Sequence, residues 1–320
     1  MVFCSNMKLV EKKNIKNIAV LVSTYNGEKN LAKQLDSILA QECDYGVDIY
    51  IRDDESDDNT VAIIKQYQKQ HKNIFLSQAK NIGCNASFFE LLKNTHGYDY
   101  YAFSDQDDVW MKDKLQSAIN MLEKMQSNNP LLYGSCSTLV NDDLEKLGTT
   151  QQKLKDITFY NTIIQNFLPG HSQVMNNELR QAILAKNIDT SQIYYYDSWI
   201  TNVAMIKGKI LFDNNPHTYY RQHDKNELGY GGSRFNWYKE RIRRIRDNQS
   251  KKYSKQIDYF VEIYHDDLDP EFIDEIKKFQ CSKASLTKRI KYISKSKFYR
   301  QRNIETNLFK LMSLLKLYEE

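Results

Sequence analysis

Asp105, Asp107 and Asp108 fall within four positions of SDQDDVW (104–110), directly behind the strand-like run YDYYAF (98–103). Like charges this close repel, and a divalent cation relieves the repulsion: Mg²⁺ and Mn²⁺ favour carboxylate oxygens and complete their shells with water and phosphate. A polar turn with Asp108 capping the next helix would look the same in a bare DxD. Two other stretches bear on the choice. RDDESDDNT (52–60) closes another apolar run, where a carboxylate of Asp53 or Asp54 can accept the N–H of a pyrimidine base, while Asp57 and Asp58 suit a solvated turn or a cap. STYNGE (23–28) offers Thr24, Asn26 and a helix N-terminus as donors to a base or phosphate. It has neither GxGxxG nor GxxxxGK[ST], which argues against a dinucleotide fingerprint and a P-loop.

The elements that must position these groups are legible in the first half. IAVLVS (18–23), VDIYIRDD (47–54), NIFLSQ (73–78) and YDYYAF read as strands, the first as one buried on both faces. Helical spacing runs through 31–41, 60–70, 87–94 and 111–126, with DESDDN as the cap of the second helix. A β–α–β–α order implies a mainly parallel sheet with helices on both faces, and ligands bind such sheets beyond the carboxyl ends of the strands. TYN, RDD and SDQDD all stand at those ends. Beyond residue 130 the spacing predicts a strand over 131–140, a helix over 157–168, a short strand over 171–176, a helix over 197–208, and a strand and loop over 217–223. Helical patterns rich in Lys, Arg, Tyr and Ile follow from about 233, with GYGGS (229–233) as the boundary.

Composition narrows the class. Hydrophobic residues at 41% and charged residues at 27% suit a soluble globular chain, and 320 residues suffice for a sizeable core. No run approaches the roughly 18 apolar residues of a membrane span, and the first 17 residues lack the apolar centre of a signal peptide. Five scattered cysteines without a CxxC argue against a disulfide framework and a zinc site. The expectation is a reduced, cytoplasmic compartment.

In combination, VSTYNGEKNLAKQLDSIL (22–39), DDESDDNT (53–60), AKNIGCNASF (79–88), SDQDDVWMKDKL (104–115), LPGHSQVMNNEL (168–179), YYDSW (195–199) and YYRQHDKNELG (219–229) resemble the family 2 glycosyltransferases. They are most like the bacterial subgroup that builds O-antigen, capsule and related polysaccharides, often rhamnosyl-, glucosyl- or galactosyltransferases. The resemblance implies a GT-A fold, Rossmann-like with a mainly parallel central sheet flanked by helices, over 15–232. It implies that Thr24, Tyr25 and Glu28, with Asp53 or Asp54, surround a nucleobase, and that Lys80 and Asn81 lie near the nucleotide. Asp105 and Asp107 would meet ribose and a diphosphate bound to Mn²⁺ or Mg²⁺, with Asp108 open between an assisting role and a cap. Asp197 stands where relatives carry a general base, with Tyr196 and Trp199 shaping an acceptor pocket. His223 is a candidate third metal ligand or diphosphate contact, and Arg221 a second positive partner. For Asp197 the alternative is a helix cap, for His223 a structural histidine; His171 and His217 receive no assignment.

The implied reaction moves a sugar from a nucleoside diphosphate donor, a UDP- or dTDP-sugar, to a polyprenyl-diphosphate-linked saccharide with inversion. Without the QxxRW signature of processive relatives, one sugar is expected per encounter. A sugar-nucleotide nucleotidyltransferase would instead carry a Gly-rich, Arg-containing loop after the first strand, which STYNGE is not. The intact DxD and Asp197 argue against an inactive scaffold.

The net charge of +4 conceals an asymmetry. Residues 234–256 carry nine Lys/Arg against two Asp/Glu and 283–302 eight against none, so the rest of the chain sums to about −11. A basic helical region over 233–320 fits peripheral attachment to the anionic inner face of the cell membrane. The alternative is packing on the catalytic domain or on a second copy in a homodimer. Nucleic acid fits the charge but finds no motif.

Overall fold

The computed structural model describes residues 16–125, 128–150, 152–222 and 249–315. β1 (Asn17–Thr24), α1 (Leu31–Leu39), β2 (Gly46–Asp53), α2 (Thr60–Gln70), β3 (Ile74–Gln78), α3 (Cys84–Asn94) and β4 (Tyr100–Ser104) alternate as the sequence predicts. Each crossover is wide enough for a helix, so β3–β2–β1–β4 pair in parallel. Both faces of β1 are apolar because both are covered. Val20 and Val22 pack against Leu31 and Leu35 of α1, while Ala19 and Leu21 belong to the cluster of Phe88 and Leu92 on α3.

The second half departs from that regularity. After β5 (Val109–Trp110) and α4 (Lys114–Glu123), β6 (Leu131–Val140) runs buried along its whole length. β7 (Lys146–Thr149) folds back on it; α5 (Phe159–Thr162), β8 (Val174–Asn176), α6 (Asn177–Leu184), α7 (Tyr196–Lys207) and β9 (Lys209–Arg221) follow. β8 lies antiparallel between β4 and β6, whereas β9 is parallel to β6 and antiparallel to β5. The sheet order is β3-β2-β1-β4-β8-β6-β9-β5, so the parallel first half continues into a mixed second half.

Two predicted elements change length for identifiable reasons. Of the helix expected over 157–168 only Phe159–Thr162 is helical; Leu168 precedes Pro169, a position that disfavours the α conformation. The strand expected from 217 begins at Lys209 and passes through NNP, because the register to β6 shifts between Ser135 and Cys136 opposite Pro216. A proline without an N–H is tolerated at such an irregularity.

Four helices close the described chain: α8 (Gln249–Ile263), α9 (Pro270–Ser282), α10 (Leu286–Ile293) and α11 (Asn303–Leu314). They join the α7 side of the core. Trp199 meets Phe260 edge-to-face, 5.1 Å between ring centres, and Phe279 and Phe309 extend the same cluster. The boundary expected at GYGGS lies outside the described residues, as does the basic stretch 235–248. Among the described residues no helix is long and apolar enough to cross a membrane.

Candidate active site

The strand ends converge as the parallel half requires. A cleft of about 460 Å³ opens beyond β1, β2 and β4, lined by Tyr25, Asp54, Asn81, Asp105, Gln106 and Asp107 on one side and by Gly170, His171, Tyr196, Asp197 and Tyr220 on the other.

The β1 and β2 ends are tied by Thr24, whose Oγ1 donates to Asp53 Oδ1 at 3.0 Å while its carbonyl accepts from Asp54 N at 2.8 Å. Asp53 spends its other oxygen on Ser56 N (3.0 Å) and is buried. Asp54 pairs with Arg52 and accepts from Ile82 N (2.9 Å) and Gly83 N (2.8 Å), so a buried ion pair shapes the 79–83 loop. Arg52 Nη2 also donates to Lys80 O at 2.9 Å. These bonds place Asn81 on the cleft wall, while Lys80 is exposed and not among the lining residues. Tyr25 is half exposed at the rim. Glu28 turns to α2, accepting from Asn59 N (3.1 Å) and Nδ2 (2.7 Å), and is not among the lining residues.

The DQDD motif divides its side chains. Asp105 and Asp107 line the cleft, and Asp108 is fully buried beneath it. Asp108 does not cap α4. Its Oδ1 accepts from Arg221 N at 3.2 Å, and Asp113 holds the cap position. Oδ2 of Asp108 is buried with no hydrogen-bond partner. His171 Nδ1 lies 3.7 Å from that oxygen and 3.8 Å from Asp105 Oδ2. The three atoms these side chains could offer a metal lie within 4.8 Å of one another. Burial and the neighbouring Lys114 ammonium push the His171 imidazole down to about 3, so it is neutral at physiological pH. Its Nε2 lies 2.8 Å from Ser137 Oγ, and with that nitrogen protonated Nδ1 keeps its lone pair toward the carboxylates. Burial and the adjacent Asp107 and Asp105 raise the Asp108 carboxyl well above the usual range. Two carboxylates and a neutral imidazole around an unsatisfied oxygen are a donor set that fits Mg²⁺ or Mn²⁺.

The residues expected to hold a metal therefore overlap this group only at Asp105. Asp107 lines the cleft without belonging to it, and His223 lies outside the described residues. Arg221 is not among the lining residues. It is buried behind the motif, donating from Nε to Asp107 O (2.9 Å) and from Nη1 to Asp142 O.

Asp197 closes the cleft opposite the motif, in the first turn of α7. Oδ1 accepts from Ser198 N (2.8 Å), and Oδ2 accepts from Asn166 Nδ2 (2.7 Å) and Gly170 N (3.1 Å). Burial raises its carboxyl above the ordinary aspartate value, against the pull of those donors. A carboxylate that is poised upward, fixed in orientation and open to a cleft is suited to take a proton. Tyr196 packs inward on Phe88, 4.3 Å between ring centres, and Trp199 is wholly buried in the core rather than lining the cleft.

Four residues of the site escape a reading of the sequence: Gln106, Asp108 as an inward candidate ligand, Asn166 and His171. The signal for His171 is topological. Because β8 returns antiparallel to β4, Gln173 O accepts from Phe103 N at 3.2 Å, which carries HSQ back to the DQDD corner.

Comparisons with known proteins agree with this architecture. Residues 19–173, the parallel half and the return to the motif, match the family described as Glycosyl transferase family 2. The chain is 30% identical over 256 residues to the dTDP-rhamnosyl transferase RfbG of Shigella flexneri, covering 77% of this chain and 85% of that protein. It is 24% identical over 149 residues to the Escherichia coli enzyme WfgD, a UDP-Glc:alpha-D-GlcNAc-diphosphoundecaprenol beta-1,3-glucosyltransferase, covering 47% of this chain and 55% of that one. The crystal structure of S. aureus TarS 1–349 in complex with UDP-GlcNAc superposes with a TM-score of 0.53 over 94% of this chain and 89% of that one. At 16% identity this likeness establishes the fold, a GT-A arrangement with helices after it. Similarity to RfbG along most of both chains, over a sheet and cleft of this form, makes the protein a glycosyltransferase of family 2.

Proposed function

We propose that the protein transfers one sugar per encounter, with inversion, from a UDP- or dTDP-sugar to a lipid-linked saccharide in cell-surface polysaccharide synthesis. The observation that carries this reading is the charge of the cleft. Its lining includes Asp54, Asp105, Asp107 and Asp197 and, among the described residues, neither Lys nor Arg. A nucleoside diphosphate brings more negative charge to that wall, so its binding there calls for a cation. Asp105, Asp108 and His171 would hold it, with Asp107 beside the donor. Bound Mn²⁺ or Mg²⁺ supplies positive charge against the departing diphosphate.

Tyr25 at the rim offers a ring to stack on the base, and Asp53 and Asp54 order the loop that carries Asn81. Asp197, across the cleft, takes the proton of the acceptor hydroxyl. The acceptor oxygen then bonds to the anomeric carbon as the bond from that carbon to the diphosphate breaks, its electron pair leaving with the nucleotide. General-base assistance of this kind contributes on the order of 10²–10⁴-fold.

The names of RfbG and WfgD support the choice of donor, and the diphosphoundecaprenol in the name of WfgD supports a lipid-linked acceptor. Such an acceptor places the enzyme at the inner face of the cell membrane. The test is a screen of nucleotides and nucleotide sugars for Mn²⁺-dependent thermal stabilisation, followed by transfer assays on Asp107→Ala and Asp197→Asn. Stabilisation by UDP or dTDP, with transfer lost in folded variants, is the expected result. Unchanged turnover in both variants would remove the site.

A further inference from the structure

Helix α10 has one face built into the protein and one that is not. Arg289 and Tyr292 are buried; Tyr292 donates from its hydroxyl to Glu275 Oε1 at 2.9 Å, which fixes the helix about its axis. The opposite arc leaves Leu286 and Ile290 each 54% exposed, one turn apart, with Lys291 exposed on its flank, Lys288 exposed farther round the helix and Lys295 exposed two residues past its end. On α11 and just past it, Ile304, Leu311 and Leu315 repeat the pattern at 63%, 50% and 58% exposure, and their spacing of seven and four residues makes one stripe.

The charges on α10 are not neutralised. Some lysines nearby are paired, Lys278 with Asp274, Lys297 with Glu271, and Lys186 and Lys207 with Asp267, whereas Lys252, Lys255 and Lys277 are exposed without an ion pair among the described residues. Among the described residues, Lys288, Lys291 and Lys295 have no carboxylate within salt-bridge distance. Aliphatic side chains held in water beside unneutralised ammonium groups match the headgroup layer of an anionic bilayer, where the apolar tips enter and the lysine stems reach back to phosphate. A second copy of the chain fits less well, since lysine is depleted from the cores of protein interfaces.

We infer that the exposed face of α10, from Leu286 to Lys295, is the surface by which the protein lies on an anionic membrane. This deepens the proposed function, because it rests on the reading that the acceptor is carried by a lipid, and it assigns attachment to residues outside the cleft.

The experiment is vesicle flotation of the full chain with phosphatidylcholine alone or mixed with phosphatidylglycerol, at low and high salt. The wild type should float only with the anionic vesicles and be released by salt, which screens surface charge. Lys288→Glu/Lys291→Glu/Lys295→Glu should lower the bound fraction more than about tenfold, and Leu286→Ser/Ile290→Ser should weaken it at constant charge. Lys278→Glu, at a lysine already paired, is the control and should float like the wild type. Equal loss in the control would mean attraction by diffuse charge and would overturn the assignment. So would wild-type binding in both altered chains, or a wild-type dimer dissociated by the same substitutions in sedimentation velocity. Nucleotide-dependent stabilisation measured without vesicles separates the two readings: its absence sinks the proposed function, and its persistence beside failed flotation sinks the membrane face alone.

Discussion

The side-chain amide of Gln106 is hydrogen-bonded twice to the backbone of Tyr25: Tyr25 N donates to Oε1 at 2.9 Å, and Nε2 donates to Tyr25 O at 3.0 Å. One residue of the DQDD corner thus holds the loop after β1, and Gly27 admits the amide, since a Cβ there would lie 2.4 Å from Oε1. Gln106→Ala removes both bonds, about 1 kcal/mol each. The expected outcome is a rise of up to roughly thirtyfold in KM for the donor, with kcat changed less. A fall in kcat at constant KM would mean that Gln106 acts on the reacting atoms instead of positioning the Tyr25 loop.

The proposed cation site gives a prediction in two signs. Asp108 is buried beside two other aspartates with one oxygen unpartnered, an arrangement that costs stability while no cation is present. Asp108→Asn should therefore melt at or above the wild type in metal-free buffer, yet lose the upward shift that Mn²⁺ gives the wild type. His171→Ala should lose the same shift, and Asp107→Ala should keep it. Calorimetry with and without Mn²⁺ reads all three. A shift lost in Asp107→Ala and kept in Asp108→Asn would place the ion on the exposed side of the motif.

What could be read from the sequence follows from how each residue is placed. Strand ends of a parallel sheet share one edge by construction, so Thr24, Asp53, Asp54, Asp105 and Asp107 could be assigned to one region from hydrophobic patterning alone. Asp197 came through its resemblance to a family pattern, and the structure sets it on the same cleft. Direction of a side chain is a different matter. Asp107 and Asp108 are neighbours in the chain, and the short pairing of Val109 and Trp110 with β9 separates them into a cleft face and a buried face. Nothing in the spacing of DQDD encodes that split. Asn166 lies in a run that reads as helix, and only the break ahead of Pro169 turns its amide onto Asp197.

That amide bears on the pH dependence expected of the proposed base. The Asp197 carboxyl is raised by burial and pulled down by Asn166, Ser198 N and Gly170 N. As the proposed base Asp197 would act when ionised, so transfer should be low below the raised pKa and climb as pH rises through it. The acid limb of the kcat/KM profile should therefore lie above the ordinary aspartate range. Asn166→Ala deletes a donor to the charged form, moves the pKa further up and should carry the limb to higher pH. Asp197→Asn should remove on the order of 10²–10⁴ of the rate while leaving nucleotide-dependent stabilisation intact. An acid limb unmoved in Asn166→Ala would mean that Asp197 is not the group titrating.

Gly170 meets the same aspartate from the other side. Its N–H donates to Asp197 Oδ2, and a Cβ at this position would lie 1.8 Å from Tyr196 Oη, far inside contact distance. Tyr196 cannot yield easily: it is buried and stacked on Phe88, and its hydroxyl has no hydrogen-bond partner. Gly170→Ala should thus cost about 1–3 kcal/mol of stability, as overpacking does, and should lower kcat by displacing the donor to Asp197. Tyr196→Phe removes the nearest clashing atom and leaves the stack in place, so by itself it should be close to neutral in stability, while the ring carbon Cζ would still lie 2.4 Å from an added Cβ. The double variant should recover only part of the loss, a positive coupling that denaturant melts can read directly. Additive losses in the double variant would mean that the alanine is resisted by the ring carbons or by the backbone at Gly170 and not by the tyrosine hydroxyl.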